Sequence, residues 1–538
     1  MKDWNTFFVF AGLCFLLTNA AQVTVHDASE LVALFQSGNV PDDIALADDL
    51  DFSDTNLINP LGSNNGTCQA YSGVFNGKGH SIKGLEMNAT KYAGLFCSLK
   101  DATVQNLVFD PSCSFNGTEG AGALSVNLTG SVLIQNVTNK AAVSGNVKAG
   151  GLIGYAEGIE EELSISFDEC VNEGNVTKAG TGRVFVGGLV GLIYRNKNLT
   201  IAVSKCINNG HAIGGYDAGG FFGSVQNNDN VVMTLSHATN NGTLFGAFSG
   251  GFCAHVLENT NVVLAFSSCT NNGDASDGVS GGFVASITSN PSVSVTFVKS
   301  TNNGAVSAVN SGGFVGLMTA NKQVSVTIMS SANNGDVFGN GRYATMNIGG
   351  VIGRISKNSN ITLALSSSAN NGRVTWTSSL IGGFVGEIES NTKMAMTISN
   401  STNNGDATGN DFYTGGFVGH IKLDREAQTF ALDIINSANK GEISCTRGVA
   451  CGLFYVAPAC KGKVTTTVLN SINRGNVSAA NAYGITNIVT TAKNVVSMGD
   501  VNGTTGSAYT FWNASTDVRL FFGMNGTCAN CSADTILF

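Results

Sequence analysis

Residue types that could do acid–base or nucleophilic chemistry are sparse in this chain. Charged residues are only 12% of its 538 residues. The six histidines are His26, His80, His211, His237, His255 and His420, and none stands near a Ser or Cys in a nucleophile pattern. Glycosidic-bond cleavage asks for clustered carboxylates, or carboxylates with Arg or Lys, on one face. Glu387, Glu389, Asp411, Asp424 and Glu426 read as scattered, with no shared position in the internal repeat described below. The acidic run Asp42, Asp43, Asp48, Asp49 and Asp51 lacks the glycine-spaced loop of a calcium site and reads as a solvated edge. Cys528 and Cys531 form a CxxC, but Cys445 and Cys451 do not supply a second pair at zinc-site spacing. The expectation is a chain without catalysis, cofactor or metal.

Binding chemistry has better candidates. Arg183, Phe185, Tyr216, Phe245, Arg342, Tyr343, Trp376, Phe412 and Tyr413 stand out against a background of Gly, Asn, Ser, Thr and Val. Aromatic and arginine side chains suit contacts with glycans or protein surfaces. All nine fall in the variable part of one repeat, so stacking the repeats would align them along one edge. A net charge of −9 argues against nucleic acid as a partner.

That repeat organises the chain. With the second Gly of each Gly-Gly pair as origin (Gly188, Gly220, Gly251, Gly282, Gly313, Gly350, Gly383), the glycine of the next Asn-Asn-Gly lies 22 residues on every time. The distance from that glycine to the next pair varies, giving repeats of 31 to 37 residues. Length that can vary reads as loop, and length that cannot reads as a packed rung. Within the fixed part, Val293, Val295 and Phe297 alternate with Ser294 and Thr296, and Val324, Val326 and Ile328 with Ser325 and Thr327. A short apolar strand precedes this one and another follows each Asn-Asn-Gly, as at Asp336-Val337. Three short strands per repeat, each with one apolar face, make one turn of an all-β, right-handed parallel β-helix. About a dozen such rungs at ~4.8 Å each give a rod on the order of 60 Å long. A propeller blade needs a fourth strand, and the Gly and β-branched content excludes helical repeats.

Asparagines recur at Asn196, Asn228, Asn259, Asn290, Asn321, Asn358 and Asn391, and again at Asn303, Asn334, Asn371 and Asn404. Stacked rungs turn these columns into ladders at turns, where Asn tolerates left-handed backbone and its amide can bond the next amide.

Residues 1–21 read as a signal peptide: Lys2, an apolar run from Phe7 to Leu17, then small residues at Ala20 and Ala21. Export, to the medium or the cell surface, is expected, with no membrane span in the mature chain. Residues 22–70 read as an N-terminal cap containing a short helix opened by the capping box Asp27-Ala28-Ser29-Glu30. Residues 71–485 form the β-helix and 486–538 a distal cap or tail. Sequons stand at Asn65, Asn88, Asn116, Asn127, Asn136, Asn175, Asn198, Asn241, Asn360, Asn400, Asn476, Asn502, Asn513, Asn525 and Asn530. Cys68, Cys97 and Cys113 are disulfide candidates in the cap region, and Cys528 with Cys531 could close a small loop. Cys170 and Cys206 sit at one repeat position in neighbouring rungs, about 5 Å apart and so within disulfide range; a bond there and two buried thiols fit equally.

From Tyr71 the chain reads YSGVFNGKGHSIKGL, from Tyr92 YAGLFCSLKDATVQNLVFD, and serial GGFVG-like units follow. These segments resemble the GLUG-motif repeats of secreted and surface proteins of bacteria and protists. Gly151-Leu152-Ile153-Gly154 and Gly188-Leu189-Val190-Gly191 match that form, whereas Gly251-Phe252-Cys253-Ala254 and Gly282-Phe283-Val284-Ala285 depart from it. The resemblance implies a β-helix with an adhesin-like role. The functional expectation is a scaffold whose aligned loops bind glycans or cell-surface proteins. One alternative is a carbohydrate-active β-helix enzyme whose carboxylates meet only between rungs. The other is a self-associating structural surface protein.

Overall fold

The structure, a computed structural model, describes residues 22–503 except 56, 65–66, 160, 341–345, 378, 488–489, 494 and 499. Residues 1–21, read above as a signal peptide, and Arg342, Tyr343, Asn65, Asn513, Asn525, Asn530, Cys528 and Cys531 lie outside the described residues.

The alternation of apolar and small polar residues produces the strands it predicts. In one turn, a first face carries the strand Val284–Thr288. A second face carries Ser292–Val298 and Thr301–Asn302. A third carries Val306–Ala308 and the return strand Asn310–Gly312. Every one of these pairs in parallel with its counterpart one repeat later, as in Val284↔Val315, Val293↔Val324, Thr301↔Ala332, Val306↔Val337 and Asn310↔Asn347. The result is a parallel β-solenoid of about 13 turns. Connections of this kind wind right-handed, because a right-twisted strand packs back on its sheet only that way.

Inside the coil, Val293, Val295 and Phe297 are buried while Ser294 and Thr296 face out. Phenylalanines stack from rung to rung, with Phe252, Phe283 and Phe314 at centroid separations of 4.9 and 4.8 Å. A smaller apolar cluster, including Val306, Val337, Ile348 and Ile381, fills the lobe enclosed by the two strand columns of the third face.

Asparagine ladders lock the rungs together. The column from Asn196 to Asn391 is buried, and Asn228 Nδ2 donates to Asn259 Oδ1 at 2.9 Å and Asn290 Nδ2 to Asn321 Oδ1 at 3.0 Å. Of the Asn-Asn-Gly pairs, the second asparagine forms the exposed ladder expected for Asn303, Asn334, Asn371 and Asn404. The first forms a second buried ladder that the sequence reading passed over. It runs unbroken from Asn139 to Asn473, each member fully buried. Asn302 Nδ2, for example, donates to Asn333 Oδ1 at 2.7 Å and to the Gly304 carbonyl at 2.8 Å, which uses both of its protons.

Two glycines per repeat permit this closeness. A Cβ on Gly282 would lie 2.1 Å from the Gly313 carbonyl oxygen, and one on Gly304 2.0 Å from that of Gly273. The second face bends between its two strands at a non-glycine residue with positive φ, such as Lys299 (φ 49°) or Asn400 (φ 48°).

The variable part of the repeat is not all loop. It carries both strand columns of the third face, and only the tip between them changes length. Val337–Gly339 and Met346–Gly349 keep register with Val306–Ala308 and Asn310–Gly312 although the longer repeat inserts residues between them.

At the N-terminal end the helix α1, Ala28–Gln36, starts where Asp27 accepts from the Glu30 N–H at 2.8 Å. Its Leu31 is buried in the main core, and Phe35 packs on Tyr71 and Phe96. Parallel pairing begins at Val23–Val25 and continues to Val501–Gly503, overrunning the span 71–485 at both ends. A disulfide joins Cys68 to Cys97, while Cys113, Cys170 and Cys206 are buried thiols. The Cys170 N–H donates to Cys206 Sγ at 3.3 Å, so the pair continues a column in which serines bond the same way further on, Ser300 N–H to Ser331 Oγ for instance. Among the described residues no helix is long and apolar enough to cross a membrane.

The two Asn-Asn-Gly ladders give a paired prediction. Asn333→Leu strands buried amide groups on Asn302 and Asn370 and should cost about 2–3 kcal/mol. Asn334→Ala, on the exposed ladder, should stay within about 0.5 kcal/mol. Urea denaturation compares them, and equal losses would refute the division of labour.

Candidate functional site

The return strand of the third face leads directly into the first face, and the outward side chains of the two meet in a re-entrant corner. The fourth residue after each origin glycine points into it: Tyr155, Leu192, Ser224, His255, Ser286, Leu317, Arg354, Glu387 and His420 follow one another in register. From the other wall come the residues that open the return strands, Lys148, Phe185, Asp217, Phe248 and, further along, Tyr413. Ring contacts join the walls. Lys148 Nζ lies 3.7 Å from the Tyr155 ring centroid, Phe248 stacks on His255 at 4.4 Å, and Tyr413 stacks on His420 at 4.8 Å.

Two dense stations result. In the first, the Arg183 guanidinium covers the Tyr216 ring at 4.4 Å, and Tyr216 meets the edges of Phe185 and Phe248. Beneath these rings are Asp217, Ser224 and His255, all buried. Asp217 Oδ1 is 3.8 Å from His255 Nδ1, beyond hydrogen-bond reach, and both carboxylate oxygens, the Ser224 hydroxyl and both imidazole nitrogens lack hydrogen-bond partners. Burial pushes the Asp217 carboxyl above the usual range, against the opposing pull of His255, Ser224 and Arg183.

The second station is an ion-pair network across three rungs. Arg354 Nε lies 2.8 Å from Glu387 Oε2, and its guanidinium also pairs with Glu389. His420 Nδ1 is 3.3 Å from Glu387 Oε1, while Lys422 Nζ reaches Glu389 Oε1 at 3.4 Å and Asp424 Oδ1 at 3.1 Å. The Ser390 hydroxyl and then Lys422 hold the Asp424 carboxyl below its ordinary value. Tyr413 and Tyr455 stack at 4.4 Å to form an aromatic wall beside His420. Each carboxylate faces a cation, and among the described residues no three His, Cys, Asp or Glu side chains are grouped as a metal site.

This network corrects the reading of the carboxylates as scattered. Glu387 shares its repeat position with Arg354 and His420, and the register brings the three together across 33-residue separations. The proposed single edge also divides. Arg183, Phe185 and Tyr216 converge in the first station and Tyr413 joins the second. Phe245 is 49% exposed on the outer side of the third face, away from the corner. Phe412 is half-buried, and its carbonyl accepts the Val449 N–H. Trp376 packs back on the small core of the third lobe. His255, Arg354, Glu387 and His420 were missed as site residues.

Of the described sequons, Asn88, Asn136, Asn175, Asn198, Asn241, Asn360, Asn400, Asn476 and Asn502 are exposed, while Asn116 and Asn127 are half-buried. Several of the exposed ones have left-handed backbone at the two ends of the long strand of the second face, Asn198 and Asn360 at its start and Asn136 and Asn400 at the bend that follows it.

No family model matches the chain. A 93-residue stretch, 17% of this chain, is 36% identical to Halomucin of Haloquadratum walsbyi, and covers 1% of that protein. A solved Bacteroides ovatus structure, provisionally assigned as an immunoglobulin A1 protease, aligns over 80% of this chain and 78% of its own at 14% identity and a TM-score of 0.23. A score that low supports no functional inference.

The raised Asp217 carboxyl makes stability fall as pH climbs from 3.8, the ordinary carboxylate value, through its folded value, because the folded state holds the proton longer than the unfolded one. Lowered groups such as Asp49, held near 2 by Lys83, contribute the opposite slope in more acid solution. Asp217→Asn should therefore remove this loss and be the more stable protein at neutral pH, as read by urea midpoints across a pH series.

Proposed function

We propose that this protein is an exported, non-catalytic binding scaffold that takes extended ligands, glycans or cell-surface protein segments, along the re-entrant corner. The observation that carries the reading is the recurrence there of stacked aromatic–histidine pairs, Phe248 with His255 and Tyr413 with His420, each beside a carboxylate from the preceding rung. Aromatic faces flanked by polar groups take sugar rings and protein side chains alike. The serial Gly-Gly units, with their resemblance to GLUG repeats, and the leader-like N-terminus support an exported protein of this kind.

The second station favours one other reading. Glu387 and Glu389 beside Arg354, His420 and Lys422 are groups that glycan-cleaving chemistry could use. Glycan-array and host-cell binding, measured for the intact protein, Tyr216→Ala and Tyr413→Ala, test the scaffold. Binding at least about tenfold weaker in both variants, with unchanged melting, is expected. Glycan cleavage that disappears in Glu387→Gln would replace the scaffold with the enzyme.

A further inference from the structure

The second face offers a surface of a different kind from the corner. Its long strands stack in register through ten rungs, from the row of Ser164, Ser166 and Asp168 to that of Thr465, Thr467 and Leu469. The outward positions hold Ser, Thr, Ala, Val and occasional larger apolar residues. In a chain of net charge −9, only Asp168 and Asp433 among them are charged. None is aromatic, so the face lacks the groups that hold sugars or acidic ligands.

Its apolar members are open to solvent. Val232, Val263 and Met329 are 38%, 40% and 41% exposed, and they account for three of the large hydrophobic side chains standing out from the described surface. Val232 and Val263 are neighbours across one rung step, and Val298 and Met329 across another. Ten rungs of about 4.8 Å and the five residues of about 3.3 Å that these rows span define an area on the order of 800 Å². A stable protein–protein interface needs about 800 Å² from each partner.

We propose that the second face is a docking surface for a second copy of this chain, the two faces meeting about a two-fold axis. A flat sheet with uniform rows complements an identical sheet, since side-chain ridges repeating every rung can seat in the grooves of an equally spaced array. With Asp168 and Asp433 the charged residues among these rows, the face avoids most of the repulsion that two copies of an acidic chain meet elsewhere on their surfaces. The sequons Asn136, Asn198, Asn360 and Asn400 lie on the rims, outside the rows that meet. The two corners would remain free on opposite sides of the pair, so the dimer presents two binding strips rather than one.

Sedimentation equilibrium of the full mature chain, with Thr296→Lys, Thr327→Lys and the third-face control Thr408→Lys, tests this. The mass should rise with concentration to twice that of the monomer. Each second-face lysine should weaken association at least about tenfold by burying an unpaired charge, while the control leaves it unchanged. Matched circular dichroism melts establish that the variants fold. A monomer up to about 100 µM, well above the dissociation constant a surface of this size supports, overturns the proposal. So does a dimer indifferent to both second-face variants. Loss of cell binding in Thr296→Lys without any change of mass would also overturn it, assigning the face to a different partner.

Discussion

Amide hydrogen bonds between identical asparagines on successive rungs are the constraint on which this structure depends. A backbone ladder alone tolerates a slip along the strand, because every residue offers the same donor and acceptor. A buried asparagine does not: displaced from its column, it leaves an amide proton and an oxygen unpaired inside the coil. With two buried columns at different corners, each rung is fixed in translation at both ends of the second face. The fixed 22-residue segment spans the interval between the two glycine landmarks and includes both columns, and its length cannot change without breaking one of them.

Register fixed in this way creates the corner. Side chains more than thirty residues apart in sequence become neighbours at a spacing set by the sheet, and their chemistry is the sum of what each rung contributes at one position. At Leu192, Ser224, Ser286 and Leu317 that position holds Leu or Ser, and at His255 and from Arg354 to His420 it holds the ionisable groups of the two stations. Insertions at the tip of the third face leave both untouched, because the return strand re-enters register before it reaches the corner. Rigid rungs supply position, and substitutions at a few outward sites supply the chemistry.

Much of this was legible in the sequence. The two-residue period of Val293, Val295 and Phe297 and the constant glycine spacing gave the strands and the stacking. The asparagine columns point to the ladders, although which asparagine of each Asn-Asn-Gly faces inward is visible only once the rungs are stacked. The site was less legible for a definite reason. Aromatic residues in the variable segment were conspicuous, yet Phe245 is the outward residue of the two-residue strand Leu244–Phe245 and points away, whereas Trp376 follows the strand Val374–Thr375 and packs back on the small core. Glu387 and His420 were inconspicuous as single residues. Aligning every residue four places after its origin glycine would have placed them in one column with Arg354, a signal present in the repeat but visible only once the turns are overlaid.

The ladders also have direction. In both buried columns the asparagine-to-asparagine bonds run toward the C-terminal rung, from Asn302 to Asn333 and from Asn290 to Asn321, while in the first column the same amides also donate back to a carbonyl of the preceding rung, as from Asn290 to Val256. In the exposed column the donors point the opposite way, from Asn334 to Asn303. The outer set opposes the inner ones, but it stands in water, where its field is screened, whereas the inner sets act in a low-dielectric interior. The second buried ladder, whose other amide proton stays within its own rung, therefore carries an electrical polarity along the axis, positive toward the C-terminal turns. The Gly158 N–H caps the acceptor end of one ladder and the Ser497 hydroxyl the donor end of the other, which keeps both poles from ending in unsatisfied groups.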